Sequence, residues 1–229
     1  MRVLLTGGAG FIGSHVAEAL LAARHEVLAL DDLSAGDRAN VPAGARFAQV
    51  DIRDRAAVLR AVETFRPEAI NHQAAQTNLR FSVENPIADG RANVLGTLYL
   101  LEAALGVGAE RFLYASTGGA IYGQPARLPA DEDTPLQPLA PYGFHKFLGE
   151  EVLRLVGGQG GIATCALRYG NVYGPRQNPK GEAGVVAIFA MQMLRGGRPT
   201  IFGDGSKTRD YVFVAVAFYR AGQDRRGPG

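Results

Sequence analysis

The sequence of 229 residues contains a single cysteine and no long hydrophobic run. Cys165 alone cannot form an internal disulfide, and no charged leader followed by an apolar stretch precedes the first predicted strand, so we expect a cytoplasmic protein. The longest apolar stretches, residues 185–194 and 211–219, fall well short of the ~18 residues that a membrane span requires. We therefore expect no membrane helix.

An excess of one charge is also lacking. The chain has 24 basic and 22 acidic residues, for a net charge of +2, and no basic block is long enough to follow a phosphate backbone. We therefore expect no nucleic-acid partner.

What is present is an alternation of short apolar runs with longer amphipathic ones. This alternation predicts parallel strands joined by crossover helices, because parallel neighbours need a long return connection. The fold class is therefore α/β, with six strands countable. The predicted strands are 2–6, 26–30, 46–50, 69–72, 111–115 and 162–168, and the predicted helices are 13–23, 54–65, 86–105 and 142–156.

The regular alternation stops near residue 170. Five prolines between residues 123 and 141 predict a surface loop, and Pro141 is suited to open the following helix. Residues 170–184 are expected to form a second loop, and residues 184–195 a single helix. A chain of this length accommodates one substantial core and a small additional lobe. We expect a dinucleotide-binding domain at 1–170 and a partial substrate-binding lobe at 171–229.

The stretch TGGAGFIGSH at residues 6–15 lies between the first strand and the first helix. Its glycines, Gly7, Gly10 and Gly13, allow a tight turn, a close approach of the backbone to a pyrophosphate and close helix packing. The second strand ends in Asp31 and Asp32 about twenty residues later. A carboxylate there accepts hydrogen bonds from ribose hydroxyls and repels a 2′-phosphate, which favours NAD over NADP.

A candidate catalytic pair lies on the helix after the long loop. Tyr142 and Lys146 are four residues apart and therefore share one helix face. An ammonium beside a phenol stabilises the phenolate, so we expect a pKa for Tyr142 well below the usual ~10, with the positive charge of a nicotinamide contributing. The hydroxyls of Ser116 and Thr117 end a strand about 25 residues upstream, at the sheet edge where ligands bind.

Together these motifs resemble the extended short-chain dehydrogenase/reductase family, and within it the UDP-glucose 4-epimerase group. The resemblance covers residues 1 to about 213. It rests on TGGAGFIGSH, LDDLS, VDIRD, HQAAQ, STGGAIYG, YGFHK, LRYGNVYGPRQ and RDYVFV. It implies a Rossmann-type doubly wound parallel sheet of six to seven strands, bound NAD, and a homodimer formed through the helices at 86–105 and 142–156.

The resemblance also implies a set of site residues. Asp51 and Ile52 would flank the adenine, Asn93 would support a water or the lysine from behind, and Arg209 would pair with the substrate diphosphate. The implied cofactor-binding residues are Gly7, Gly10, Phe11, Ile12, Asp31, Asp32, Ser34, Asp51, Ile52, Gln73, Ala74, Ala75, Gln76, Asn93, Tyr142, Lys146 and Tyr169. The implied substrate-binding residues are Thr117, Tyr142, Asn171, Val185, Val186, Phe202 and Arg209.

By the same resemblance the reaction is C4 inversion of a UDP-hexose. Tyr142 would remove the proton of the 4-hydroxyl, with Thr117 as the assisting hydroxyl and Ser116 as the alternative, because counting back from Tyr122 puts Gly118 at the customary position. Related dehydratases carry an acidic residue after that hydroxyl, whereas Gly118, Gly119 and Ala120 follow here. The sequence therefore favours epimerisation or simple oxidation and reduction over dehydration.

Several residues depart from the family pattern. His145 stands where relatives have a small residue, and we expect it to be solvated. The other histidines have no second ligand at metal spacing, so no metal is expected, and Cys165 is expected to be a small core residue.

The end of the chain departs most. After residue 214 it reads AVAFYRAGQDRRGPG, which we interpret as a shortened lobe that leaves the pocket partly unroofed. Two hypotheses follow besides an active epimerase: a shortened NAD-binding protein with little turnover, and a reductase of a nucleotide-linked 4-keto sugar.

Overall fold

The computed structural model describes residues 1–179 and 184–216. Its main feature is a parallel sheet that contains the six predicted strands, each bound lying within about two residues of the prediction. The strands are β1 (Arg2–Thr6), β2 (Glu26–Asp31), β3 (Arg46–Gln49), β4 (Ala69–His72), β5 (Arg111–Thr117) and β6 (Ala163–Tyr169). Their order is β3-β2-β1-β4-β5-β6, which is the Rossmann order. The chain reverses direction across the sheet between β1 and β4, where such folds bind ligands.

Helices cover both faces of this sheet. They are α1 (Phe11–Ala22), α2 (Arg55–Phe65), α3 (Leu79–Glu84), α4 (Pro86–Gly90), α5 (Gly96–Val107), α6 (Gly118–Ile121), α7 (Pro141–Val152) and α8 (Val185–Leu194). A 3₁₀ turn at Arg38–Asn40 and π-helical segments at Arg91–Leu95 and Leu153–Gly157 complete the set. The helix predicted at 86–105 is therefore interrupted, because the π-helical segment separates α4 from α5. The short helices α3 and α6 were not predicted.

Local sequence explains several helix ends. Asp54 accepts a hydrogen bond from the Ala57 N–H at 3.0 Å and so caps α2, and Pro141 occupies the first turn of α7 as the sequence predicts. Gly108, at φ +71°, ends α5 in the left-handed conformation that glycine adopts without strain.

Alternate residues of β1 supply two separate cores. Leu4 is fully buried in the larger cluster, which α2 and α5 cover, whereas Val3 and Leu5 pack in the cluster under α1. The alternation follows from the pleat, which directs successive side chains to opposite faces. The first core includes the fully buried Leu100 of α5.

The second part of the chain forms a separate two-stranded sheet. β7 (Asn171–Tyr173) pairs in parallel with β8 (Tyr211–Phe213), and the Asn171 N–H donates to the Asp210 carbonyl at 2.6 Å. This pairing corrects the prediction of an unbroken loop over residues 170–184. A strand of three residues is fixed by its distant partner and leaves no periodic signal of its own.

Two contacts attach this second part to α1. Arg176 donates to the Ser14 hydroxyl at 3.1 Å and also pairs with Glu18, while His15 lies 3.1 Å from the Pro175 carbonyl oxygen. The predicted helix at 184–195 is present as α8, but none of its residues is buried. The Gly- and Arg-rich tail from residue 217 onwards lies outside the described residues. None of the helices in the described part of the chain has the length and apolar character that crossing a bilayer requires.

Candidate active site

The glycine turn connects β1 to α1 at the point where the chain reverses across the sheet. Gly7 adopts φ +67°, and a Cβ at Gly13 would lie 2.0 Å from the Gly7 carbonyl oxygen, so neither position accommodates a side chain. Gly10 precedes the helix and supplies no side-chain cap. The first-turn N–H groups of α1, which include Phe11 and Ile12, therefore face the sheet edge with the partial positive charge of the helix N-terminus.

Asp31, at the end of β2, supports this turn from behind. Its carboxylate accepts hydrogen bonds from the Ala9 N–H at 3.0 Å and the Leu33 N–H at 2.9 Å. Each carboxylate oxygen retains a further acceptor position. Asp32 lies beside it, half-buried, and accepts from the N–H and the hydroxyl of the exposed Ser34.

Asp51 and Ile52 follow β3 on the same side of the sheet. The Arg53 guanidinium donates to both oxygens of Asp51, and these hydrogen bonds hold the pKa of the Asp51 carboxyl below its usual value. Arg53 also lies 3.9 Å from Asp32, so it links the two carboxylates. Ile52 is 8% exposed and packs against Gly96 at the start of α5.

The loop after β4 brings the Gln73–Gln76 segment against the glycine turn. The Ala74 N–H donates to the Thr6 hydroxyl at 3.1 Å, and the Gln73 side chain donates to the Tyr169 hydroxyl at 3.3 Å. Asn93 clamps the far end of this loop, because its amide accepts from the Gln76 N–H at 3.0 Å and donates to the Gln76 carbonyl at 2.9 Å. Ala75 lies half-buried between them.

A buried histidine, which the sequence analysis considered only as a metal ligand, holds this edge together. His72 lies between the hydroxyls of Thr6, 2.7 Å from Nδ1, and Thr97, 3.0 Å from Nε2. Burial lowers the pKa of His72 to about 3, so the ring is neutral near pH 7. Its position at the last residue of β4, after three apolar strand positions, is the sequence signal for this role.

The predicted catalytic residues meet at the carboxyl end of β5. Tyr142 is 9% exposed and shares a hydrogen bond with the Thr117 side chain. Lys146 is 2% exposed, donates to the Ala115 carbonyl at 2.9 Å and lies 4.7 Å from the centre of the Tyr114 ring. The helical spacing of four residues thus directs both side chains into the sheet edge, as the sequence predicts.

Ser116, the alternative hydroxyl, points elsewhere. Its hydroxyl donates to Glu150 of α7, and Glu150 also receives a bidentate interaction from Arg168 of β6. Arg168 in turn donates to the Tyr122 hydroxyl at 2.9 Å. This network ties α7 to β6 beneath the site and engages Ser116, so Thr117 alone of the two hydroxyls faces Tyr142.

The charge state of Tyr142 corrects an expectation. Burial raises the pKa of Tyr142 to about 12, the Thr117 hydrogen bond opposes this, and the negative charge of Asp89 adds to it. Burial also lowers the pKa of Lys146 to about 8. The protein's own groups therefore do not produce the lowered pKa that we expected for the phenol, because the cost of burying a phenolate exceeds the effect of a lysine directed at Ala115.

The predicted substrate residues are dispersed. Asn171 donates its side-chain amide to the Asp210 carbonyl at 3.3 Å, and Val185 and Val186 are half-buried at the start of α8. Phe202 is 87% exposed, and the exposed Arg209 donates to the adjacent Thr208 carbonyl. Among the described residues, no hydrogen bond or ion pair joins Phe202 or Arg209 to Tyr142.

His145 differs most clearly from its prediction. Its side chain is only 18% exposed, and its Nδ1 lies 2.5 Å from a carboxylate oxygen of the fully buried Asp89. The expectation of a solvated residue is wrong because α4 packs against this face of α7. In the described part of the chain no cluster of three or more His, Cys, Asp or Glu residues is arranged to hold a metal ion. Cys165 lies in β6 and is half-buried.

The sheet order, the glycine turn and the Thr117–Tyr142–Lys146 cluster define a dinucleotide-binding α/β protein with a buried tyrosine–lysine centre. The chain belongs to the NAD dependent epimerase/dehydratase family, whose sequence profile matches residues 3–220.

Individual relatives and solved structures agree with this assignment. The UDP-glucose 4-epimerase of Mycolicibacterium smegmatis is 45% identical over 230 residues, which covers 97% of this chain and 73% of the relative. The crystal structure of the Thermotoga maritima UDP-glucose 4-epimerase with UDP-glucose superposes with a TM-score of 0.93 at 44% identity, covering 96% of this chain and 71% of that one. The Thermus thermophilus enzyme in complex with NAD gives 0.91 at 50% identity, covering 96% and 73%.

Proposed function

We propose that this protein is an NAD-dependent epimerase that inverts C4 of a UDP-hexose, such as UDP-glucose or UDP-galactose, through a transient 4-keto sugar. The observation that carries the proposal is the buried Tyr142, bonded to Thr117 and one helical turn from Lys146, beside the glycine turn. Relatives that are 44 to 50% identical over nearly the whole of this chain are UDP-glucose 4-epimerases.

The residues of the cleft fit NAD. The pyrophosphate would lie on the N-terminus of α1, which offers free N–H groups and has no acidic residue in its first turn. Asp31 would accept from the adenosine ribose, where its charge disfavours a 2′-phosphate. Bound NAD supplies a hydride acceptor that later returns the hydride. The remaining proposed contacts are Gly7, Gly10, Phe11, Ile12, Asp32, Ser34, Asp51, Ile52, Gln73, Ala74, Ala75, Gln76, Asn93, Tyr142, Lys146 and Tyr169.

Tyr142 acts as the base in this proposal. It removes the proton of the sugar 4-hydroxyl during oxidation and returns a proton when the 4-keto group is reduced. Lowering its pKa from about 12 to about 7 requires about 7 kcal/mol of differential stabilisation, at ~1.4 kcal/mol per unit. Lys146 supplies part of this stabilisation, and the positive charge of the oxidised cofactor accounts for the rest.

Thr117 is the proposed relay between Tyr142 and the sugar, since Ser116 is engaged by Glu150. The residues that follow, Gly118, Gly119 and Ala120, carry no acid for a second proton transfer, so the site lacks a group that dehydration would need.

We assign the domains by function at the junction of β6 and β7. Residues 1–170 form the NAD-binding domain, and residues 171–229 contribute the substrate lobe. Asn171, Val185, Val186, Phe202 and Arg209 are the proposed contacts of the lobe with the nucleotide sugar, with the Arg209 guanidinium suited to a diphosphate.

We further propose a cytoplasmic homodimer that acts in galactose metabolism. The described residues on α3, α4 and α7 leave large apolar side chains exposed, as expected of an interface between copies. These are Val83 at 62%, Ile87 at 75% and Phe144 at 53% exposure. The single cysteine is in keeping with a reducing compartment.

An assay of UDP-galactose conversion to UDP-glucose tests the proposal, with NAD content measured on the same sample. Turnover without net NADH consumption supports it. Net NADH consumption with a 4-keto sugar would indicate a reductase instead. Bound NAD without turnover would favour a second candidate, a cofactor-binding protein with little activity, for which the exposure of Phe202 and Arg209 is the supporting observation.

A further inference from the structure

The buried carboxylate of Asp89 is not used in the proposed reaction. Asp89 lies on α4, is 0% exposed, and has no lysine or arginine partner among the ion pairs of the described residues. Burial of a carboxylate is strongly unfavourable unless hydrogen bonds satisfy it. Its oxygens therefore need donors from neighbouring elements.

Three side chains supply those donors. One oxygen accepts from the Asn93 amide at 3.1 Å and from the side-chain amide of Gln76, and the other lies 2.5 Å from His145 Nδ1. Because an ionised carboxylate can only accept, Nδ1 of His145 is the donor in this contact. Of the three donors, only His145 comes from α7, the helix that carries Tyr142 and Lys146.

The cluster connects the two walls of the cleft. Asp89 lies one turn before Asn93, and the intervening chain passes into the π-helical segment Arg91–Leu95, a feature often found at functional sites. Asn93 clamps both backbone groups of Gln76, whereas His145 lies three residues after Tyr142. Gly90 borders the imidazole, where a Cβ would lie 3.4 Å from Cε1.

Asp89 also acts on the catalytic residues through its charge. Its negative charge contributes to the raised pKa of Tyr142 and opposes the lowered pKa of Lys146. Glu150 on α7 acts on Lys146 in the same direction, and Tyr114 on β5 is the further ionisable group packed against this centre. A hydrogen-bond donor on Asp89 withdraws charge from the carboxylate and so weakens its opposition to the phenolate.

We propose that His145 is a positioning residue of the active centre, which holds the Asp89 carboxylate and through it fixes Gln76 and sets the field at Tyr142. This inference rests on the proposed function, since it assigns His145 to the same proton-transfer site. It also explains how the chain accommodates a histidine at a position where the family has a small residue.

The test compares His145→Ala, which removes the donor, with His145→Asn, whose amide nitrogen can replace Nδ1. We expect His145→Ala to lower kcat about 10-fold with KM for UDP-galactose within about 2-fold. We also expect the acidic limb of the kcat profile to move at least half a pH unit upwards, because the unpaired Asp89 disfavours the phenolate. His145→Asn restores both to near the wild-type values, and the remote His25→Ala changes neither. An unshifted limb in His145→Ala, or an Asn variant no better than Ala, would overturn the proposal.

A second measurement does not depend on turnover. The phenolate of Tyr142 is titrated by ultraviolet difference absorbance of the NAD-loaded protein, with Tyr142→Phe in each background as the reference. The midpoint is expected to rise in His145→Ala and to fall in Asp89→Asn, which carries the test if the alanine variant does not fold. Equal midpoints in the wild type and Asp89→Asn would contradict the proposal, whereas absent epimerisation with shifted midpoints would contradict only the proposed function.

Discussion

The six-stranded sheet with its helices and the segment from 184 to 216 have opposite patterns of burial. The sheet region encloses ionisable groups completely, including Asp89 at 0% and Lys146 at 2% exposure, and each has a hydrogen-bond partner. In the described residues 184–216 only Val214 is buried, while Leu194 and Phe202 are 83% and 87% exposed. The reacting groups thus lie in the region that is fixed by its own packing, and the proposed substrate contacts lie in the region that is not.

The largest expected effect separates the two regions by activity. Replacing Tyr142 by phenylalanine removes the only group positioned to accept the 4-hydroxyl proton, so kcat should fall by ~10³-fold or more. The matched change Phe202→Ala in the exposed segment should raise KM and leave kcat within a few fold. Steady-state kinetics with UDP-galactose measures both, and NAD content should stay unchanged. A phenylalanine variant that kept a tenth of the wild-type kcat would break the comparison.

Two leucines compare the regions by stability. Leu100 is fully buried in the larger core, so Leu100→Ala should lower the free energy of unfolding by about 3 kcal/mol through lost burial and a residual cavity. Leu194 on α8 is 83% exposed, and Leu194→Ala should change it by less than about 0.5 kcal/mol. Urea unfolding followed by circular dichroism provides the values. Equal losses would show that α8 is packed as firmly as the sheet.

Acid should weaken the sheet region through His72. Its pKa is about 3 in the folded protein and near 6.5 when unfolded, so between these values only the unfolded chain binds the proton. This contribution to stability is complete above pH 6.5 and is lost as the pH falls, at up to ~1.4 kcal/mol per unit. From pH 7 to pH 5 the wild type should lose about 2 kcal/mol more than His72→Asn.

The control for this titration is His25→Gln, a change at a half-buried histidine beside the N-terminus. It should retain the pH dependence of the wild type. If His72→Asn showed the same slope as the wild type, the neutral buried ring would not be the source of the acid sensitivity.

The smallest expected effect concerns the attachment between the regions. Arg176→Ala removes the charge-assisted hydrogen bond to Ser14 and the pair with Glu18, and should lower the free energy of unfolding by about 1 kcal/mol. Arg154→Ala removes an exposed pair with Glu151 within one helix and should have no measurable effect. Thermal unfolding of the two variants side by side makes the measurement.

The sheet was predictable because its signal is local. Each strand is a short apolar run followed by an amphipathic helix, and the glycines of the first turn are required by contacts within a few residues, such as Gly13 against the Gly7 carbonyl. The spacing of Tyr142 and Lys146 likewise fixes their common face from the helical period alone.

What the sequence did not reveal depends on distant partners. The strand Asn171–Tyr173 exists through its pairing with Tyr211–Phe213, and His145 is buried because Asp89 arrives from another helix. The pKa of Tyr142 was misjudged because spacing along a helix gives no measure of burial. Pairing across some forty residues and burial are properties of the assembled fold.

The parallel pairing of β7 with β8 has a consequence for the order of synthesis. All six strands of the large sheet have emerged once Tyr169 is made, but β7 has no partner until Tyr211–Phe213 follow. A nascent chain can therefore complete its cofactor cleft first and add the second sheet to a finished surface, as contacts of low sequence separation form before distant ones. In that interval the newly made Asn171–Tyr173 is an unpaired edge, the stage at which this chain most needs protection from association with other nascent chains.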